Sequence, residues 1–145
     1  MRPIIFDQFS VMSVQYVQHS FDFYLNSIVK CGIKNIDFWG GAPHYSRINY
    51  TNNAEIEKKI TELRTKMDDK GLKVVIYTPE TLMYPFSYSS PEDAVRKSTI
   101  NYMTAAMEDA LLLGTNNVFI NTGCGLRDLP REESWKRCIE SISIL

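Results

Sequence analysis

Lys73-Val74-Val75-Ile76-Tyr77 and Asn117-Val118-Phe119-Ile120 are almost unbroken runs of apolar, strand-forming residues. A strand with one wet face alternates apolar and polar residues, whereas a continuous run belongs to a strand covered on both faces, as in parallel sheet. Parallel neighbours cannot be joined by a tight turn; they need a crossover, normally a helix. Four β-rich runs in the chain fit that requirement: about Gln8 to Met12, Ile33 to Trp39, Leu72 to Thr78 and Asn116 to Thr122. Each is followed by a loop containing polar, Gly or Pro residues, and every gap can hold a helix.

The helices carry their own start and stop signals. The first is expected from Ser20, with Phe21, Leu25, Ile28 and Val29 on one side and Gly32 as a left-handed cap. The second opens on Asn52 and Glu55, spaced as a capping box, buries Ile56, Ile60, Leu63 and Met67, and closes at Gly71. Its outer face pairs Glu55 with Lys59 and Glu62 with Lys66, the pattern of a solvated surface. The third is expected to use Ser90 as cap and Pro91 at the first helical position, to line its buried side with Tyr102, Ala106, Ala110 and Leu113, and to end at Gly114. The last begins near Pro130 and repeats Trp135, Cys138, Ile139 and Ile142 at helical spacing. Its apolar pattern runs to Leu145 without a stop signal, so the chain is expected to end inside its fourth helix. About four β/α units in a row describe an α/β fold, half of a (β/α)8 TIM barrel. A complete barrel takes roughly 250 residues, against 145 here. A flavodoxin-like sheet is the alternative, and the absence of a Gly-rich phosphate loop after the first strand counts against it.

Composition removes several classes of function. Sixteen Lys and Arg against 17 Asp and Glu leave a formal charge of −1, with no basic surplus for a nucleic acid partner. No apolar run is long enough to cross a bilayer and the first residues do not form a signal peptide, so a cytoplasmic protein with no membrane partner is expected. Cys31, Cys124 and Cys138 show no C-x-x-C spacing, and only His19 and His44 accompany them. Reduced, partly buried thiols are therefore expected instead of a zinc knuckle or a disulfide framework.

In an α/β barrel the loops after the strands gather on one face, so residues just past strand ends are the first candidates for chemistry. Here they read Asp37-Phe38-Trp39-Gly40-Gly41-Ala42-Pro43-His44-Tyr45, then Tyr77-Thr78-Pro79-Glu80-Thr81-Leu82-Met83-Tyr84-Pro85, then Asn121-Thr122-Gly123-Cys124-Gly125. Glu80 follows a buried strand, where an unpaired carboxylate costs several kcal/mol (roughly 2–7 for an unpaired polar group) unless hydrogen-bonded or exposed. Tyr77, Thr81 and Tyr84 combine hydroxyls with apolar bodies, a usual lining for a sugar, and Asn121 is a further polar candidate. Gly40 and Gly41 let backbone approach a ligand closely. Asp37, inside its strand, is open to an inward orientation but has no ligand cluster around it. His19 and the methionines, including Met103 and Met107, are read as structural.

The frame I-D-F-W-G-G-A-P-H after the second strand, Y-T-P-E-T-x-x-Y-P after the third and the later P-E-D-A-V-R-K-S resemble the fructoselysine 3-epimerase group of the xylose-isomerase-like sugar isomerases and epimerases. The resemblance runs from about Phe9 to the C-terminus. It implies a metal-dependent barrel, often using Mn²⁺, that inverts C3 of a ketose or of a fructosamine such as fructoselysine through an enediolate. It also implies that the metal ligands and the two proton-transferring glutamates belong to strands five to eight, beyond the N-terminal half this chain represents. The isolated chain is therefore expected to be inactive, with no catalytic or metal-ligating residue of its own. What the resemblance carries onto matching positions is one wall of a substrate pocket, with His44 on a sugar oxygen and Trp39 against the sugar's apolar face. Inosose dehydratase and hydroxypyruvate isomerase are related alternatives; endonuclease IV, whose zinc site needs early histidines, is disfavoured. A non-catalytic half-barrel is the remaining alternative, with exposed edges covered by self-association or by a complementary half.

Overall fold

The computed structural model describes residues 5–82, 85–123 and 125–145. Its contacts divide the chain into two compact units, Met1–Thr78 with Asp109–Phe119, and Pro79–Glu108 with Ile120–Leu145.

The first unit is built on a three-stranded sheet in the order β1 (Ser10–Met12), β2 (Asn35–Gly40), β3 (Lys73–Pro79), whose last residue, Pro79, counts with the second unit. β1 and β2 are parallel, with Ser10 opposite Asn35 and Met12 opposite Asp37, and Lys73 N–H donates to the Lys34 carbonyl at 2.8 Å. The crossovers are α1 (Phe21–Lys30) and α2 (Asn53–Asp68). Both start where side-chain caps permit: Ser20 Oγ accepts Phe23 N–H, and Asn52 Oδ1 accepts Glu55 N–H. The Glu55 carboxylate turns back to the N–H and hydroxyl of Thr51, one residue outside the expected box. Gly32 and Gly71, just past the two helix ends, take positive φ. Phe21, Tyr24, Leu25 and Ile28 of α1 and Ile56, Ile60, Leu63 and Met67 of α2 are buried with Ile36 and Phe38 of β2. The outer face of α2 does not form the expected pairs: Lys59 meets Glu62 and Lys66 reaches Asp22 of α1. Carboxylates on a neighbouring turn or helix compete on equal terms with the residue four positions away.

The fourth β-rich run is not a strand. Among the described residues it makes one parallel bridge, Tyr77 with Val118, through Tyr77 N–H to Asn117 O and Phe119 N–H to Tyr77 O, both 2.9 Å. The ladder stops there because Val75 O accepts side-chain donors at 3.0 Å from both Thr115 Oγ1 and Asn117 Nδ2. Asn117 N–H, which would extend the ladder, donates to Thr115 Oγ1 instead.

The second unit contains most of α3 (Asp93–Leu113), whose residues from Asp109 onward count with the first unit, and α4 (Arg131–Ile142). α3 begins at Asp93, two residues later than expected, because Ser90 Oγ accepts Glu92 N–H in a tight turn while Arg96 bonds Ser90 O and pairs with Asp93. Tyr88, Met103, Ala106 and Cys138 are buried in this unit, and Phe86 stacks on Tyr102 at 4.1 Å. The face that α4 buries differs from the expected one. Ser134, Cys138 and Ser141 are buried, whereas Trp135 is 64% and Ile139 50% exposed. Backbone carbonyls explain the choice: Ser141 Oγ donates to Tyr88 O at 2.8 Å and Arg137 Nε to Ser89 O at 3.0 Å. Those carbonyls need donors, which the serine and arginine side of α4 supplies and the apolar stripe cannot. Cys31 is exposed and Cys138 buried, both free; Cys124 lies outside the described residues. No helix among the described residues is long and apolar enough to cross a membrane.

Candidate functional site

The pleat of β2 sorts its side chains. Ile36, Phe38 and Gly40 go to the buried side, where Phe38 meets Phe21 edge-on at 5.8 Å and stacks with Tyr77 at 6.1 Å. Asn35, Asp37 and Trp39 go to the other face and remain partly exposed. There Thr78 Oγ1 donates to Asp37 Oδ1 at 2.7 Å. Burial raises the Asp37 pKa and this hydrogen bond only partly offsets it. Ser13, fully buried, accepts the Trp39 backbone N–H at 3.0 Å and holds the strand end in place.

The two glycines after Trp39 are seats for aromatic rings. A Cβ on Gly41 would collide with the Trp39 benzo ring, and one on Gly40 would lie 2.6 Å from Tyr77 Oη. The indole thus lies over the Gly41 backbone, while Tyr77, fully buried, covers Gly40 from the packed side.

His44 is 4% exposed. Its Nε2 is 3.0 Å from the His19 carbonyl oxygen and its ring stacks on Tyr24 at 6.0 Å, with Phe21 at 5.5 Å. Nδ1 has no hydrogen-bond partner among the described residues. The following residues are anchored in the same unit. Tyr45 Oη donates to Asp109 Oδ2 at 2.8 Å and Arg47 Nε lies 3.4 Å from the same oxygen, all three groups buried or nearly so. The Ala42–Pro43 peptide between these anchors and β2 is cis.

The other candidates lie in the second unit. Glu80 Oε1 accepts Leu82 N–H at 2.7 Å, closing a local turn. Thr81 is buried and its Oγ1 donates to Asn121 O at 3.3 Å; Asn121 Oδ1 accepts Gly123 N–H at 2.9 Å. Burial raises the Tyr88 phenol above its ordinary range. Beside this turn is a concavity of about 480 Å³ whose lining includes Thr122, Gly123, Arg127, Ser134, Trp135 and Cys138. Gly125 packs directly on Ser134, leaving no room for a side chain. Tyr84, the seventh candidate, lies outside the described residues.

Trp39, His44 and Tyr77 thus share the first unit and Glu80, Thr81 and Asn121 the second. Sequence reasoning passed over Ser13 and Thr78, and it left Asp37 without a partner. An aspartate inside an otherwise apolar strand, two residues before an aromatic on the same face, was the signal available. The described residues include no group of three or more His, Cys, Asp or Glu able to hold a metal ion. Those residues do not fit a divalent-metal centre.

A parallel β/α succession, with a helix crossing over between consecutive strands, defines an α/β protein. The xylose isomerase-like TIM barrel family model matches residues 25–145, and the chain belongs to that family. Over 129 residues it is 22% identical to fructoselysine 3-epimerase of Escherichia coli O157:H7, spanning 89% of this chain and 44% of that protein. Among solved structures it is similar to the apo form of 3-keto-D-glucoside 4-epimerase from E. coli, with a TM-score of 0.66, 10% identity and coverage of 93% and 49% of the two chains. It is also similar to a putative xylose isomerase from Rhodospirillum rubrum, with a TM-score of 0.68, 10% identity and coverage of 92% and 47%. The chain spans about half the length of these relatives.

Proposed function

We propose that the chain carries one substrate-binding wall of a sugar 3-epimerase, in the N-terminal half of a TIM barrel, acting on a ketose or a fructosamine such as fructoselysine. The observation that carries this reading is the 22% identity to fructoselysine 3-epimerase across 89% of the chain. Inverting C3 of a ketose means removing a proton beside a carbonyl and returning it to the opposite face, with an enediolate between. Charge developing on oxygen then needs donors or a cation. The group expected from the family is a divalent metal, Mn²⁺ by preference, with ligands outside the described residues. The role of this chain's own residues is to bind and orient. In the first unit Trp39 packs against the sugar, while Tyr77 and His44, both buried, hold the loop that presents it; in the second unit Glu80, Tyr84 and Asn121 are the polar candidates for sugar hydroxyls, and Thr81, also buried, holds the Asn121 backbone. The cytoplasm suits this role, since it keeps the free thiols of Cys31 and Cys138 reduced.

The test follows deuterium entering C3 of fructoselysine from heavy water by NMR. The chain is supplied alone and together with the C-terminal half of fructoselysine 3-epimerase. Incorporation by the pair and none by the chain alone is the expected result. Incorporation by the chain alone would show a catalytic group among residues assigned here only to binding, and no incorporation in either case would set the 3-epimerase reading aside. Loss of water from an inosose, or interconversion of hydroxypyruvate, would transfer the chain to those related activities.

A second reading is favoured by the second unit, where Leu126, Leu129, Trp135 and Ile139 are all more than a third exposed. Leu126, Leu129 and Trp135 line one concavity, and clustered exposed apolar side chains mark an interaction site. The proposed occupant is a second copy of the chain or a complementary half-barrel, and in the non-catalytic form of this reading assembly is the whole function.

A further inference from the structure

We propose that Asp37 and Trp39 form a polyol subsite, in which the Trp39 indole packs against the apolar face of a sugar chain while Asp37 Oδ2 accepts hydrogen bonds from its hydroxyls. This rests on the reading that the ligand is a sugar, and it adds a recognition residue, Asp37, to that pocket.

Three observations converge on the pair. Asp37 and Trp39 are two residues apart on one face of β2, the face opposite Phe38 and its aromatic packing, and both are partly exposed. Their side chains are therefore spaced by about 6.6 Å along the strand, from a rise of roughly 3.3 Å per residue. Second, the Asp37 carboxylate is half satisfied: Oδ1 is held by Thr78 Oγ1 at 2.7 Å, and Oδ2 accepts no hydrogen bond among the described residues. A structural carboxylate in a partly buried position is normally matched by a cation or by several donors. This one is held by a single neutral hydroxyl, which fixes its orientation and leaves the second oxygen available. Third, the indole two residues along the same face is seated on the Gly41 backbone, where any Cβ would displace it. A rigid aromatic surface next to an oriented carboxylate matches a polyol, which offers C–H groups on one side and hydroxyl donors at its edge.

The probe is D-fructose, a neutral ketose, so that simple charge pairing cannot produce the signal. It is titrated into the protein while the Trp39 emission is followed in a Trp135→Phe background, with NMR shifts of the Gly41 and Thr78 amides as the second readout. Asp37→Asn preserves the acceptor for Thr78 and the side-chain shape, but it replaces one carboxylate oxygen by an amide donor and removes the charge. It is expected to weaken fructose binding at least about tenfold, the loss of one charge-assisted hydrogen bond. Gly41→Ala, which displaces the indole without touching Asp37, is expected to weaken binding and shift the tryptophan emission; Trp39→Leu replaces it if the glycine variant does not fold. Fructose binding that is unchanged in Asp37→Asn overturns the inference, as does absence of saturable binding in the parent protein. The deuterium assay keeps the two readings apart. C3 exchange that is indifferent to Asp37 leaves the epimerase reading standing without this subsite. Asp37-dependent fructose binding without exchange of any ketose leaves the subsite standing without the epimerase.

Discussion

Asp37 makes the fold less stable at neutral pH than a neutral residue would. Burial disfavours its charged form, so its pKa is raised in the folded state. The folded chain then binds more protons than the unfolded chain in the window between the two pKa values. Its contribution is therefore fully present below the unfolded value and is lost as pH rises through the folded one. Asp37→Asn is expected to raise the Tm at pH 7, with the advantage shrinking towards zero as the solution is acidified below the folded pKa. Thermal melts from pH 7 down to pH 4 measure this, and a variant less stable than the parent at neutral pH would contradict it. A residue whose replacement stabilises the fold while weakening sugar binding is the pattern of a functional group. The Tyr45–Asp109–Arg47 cluster behaves oppositely. Tyr45→Phe removes the donor at 2.8 Å from a fully buried carboxylate and is expected to cost about 1–3 kcal/mol in denaturant unfolding. Asp109→Ala, which removes a buried carboxylate from both Tyr45 and Arg47, is expected to cost about 3–5 kcal/mol. Pairings of this kind were not legible in the sequence: Tyr45 and Asp109 are 64 positions apart, and Asp37 and Thr78 are 41 apart.

At the scale of elements, α1 and α2 were readable almost to the residue because their signals are local. Ser20 and Asn52 cap within three residues of themselves, and the apolar spacing in α2 gives the buried set Ile56, Ile60, Leu63 and Met67. Asn52→Ala is accordingly expected to cost about 1 kcal/mol, read from the denaturation midpoint, with earlier fraying of the first turn of α2 in amide exchange. The fourth β-rich run shows where local reading ends. Its apolar residues satisfy a strand pattern, yet the side chains of Thr115 and Asn117 take the Val75 carbonyl that a longer ladder would use. α4 shows the same limit, since its apolar stripe identifies a helix and not the face that helix buries. Ser134, Cys138 and Ser141 were chosen by carbonyls at Tyr88 and Ser89, roughly 50 residues earlier, a range over which periodicity carries no information.

For the molecule as a whole, the exposed Trp135 and Ile139 are expected to drive association of the second unit with a partner. Light scattering at micromolar concentration should report a dimer or larger species, and Trp135→Glu with Ile139→Lys should return it towards a monomer; a parent protein that is already monomeric would refute the surface assignment. A calorimetric Mn²⁺ titration of the 145-residue chain checks the proposal that this wall of the pocket binds and orients without supplying metal ligands, and no saturable site is the expected outcome. What the residues determined unaided was the parallel β/α succession, the helix starts and the loops that carry W-G-G-x-P-H and Y-T-P-E-T. All of these follow from periodicity, caps and turns acting over a few positions. Tertiary structure alone decided that His44 packs beneath Tyr24, that the Trp39 ring rests on Gly41, that Asp37 is held by Thr78 and that α4 turns its apolar stripe outward. Each is a competition for space or for a hydrogen-bonding partner. Most of those partners lie far away in the chain, and even Gly41, two residues from Trp39, receives the indole only because the folded loop brings its backbone beneath it.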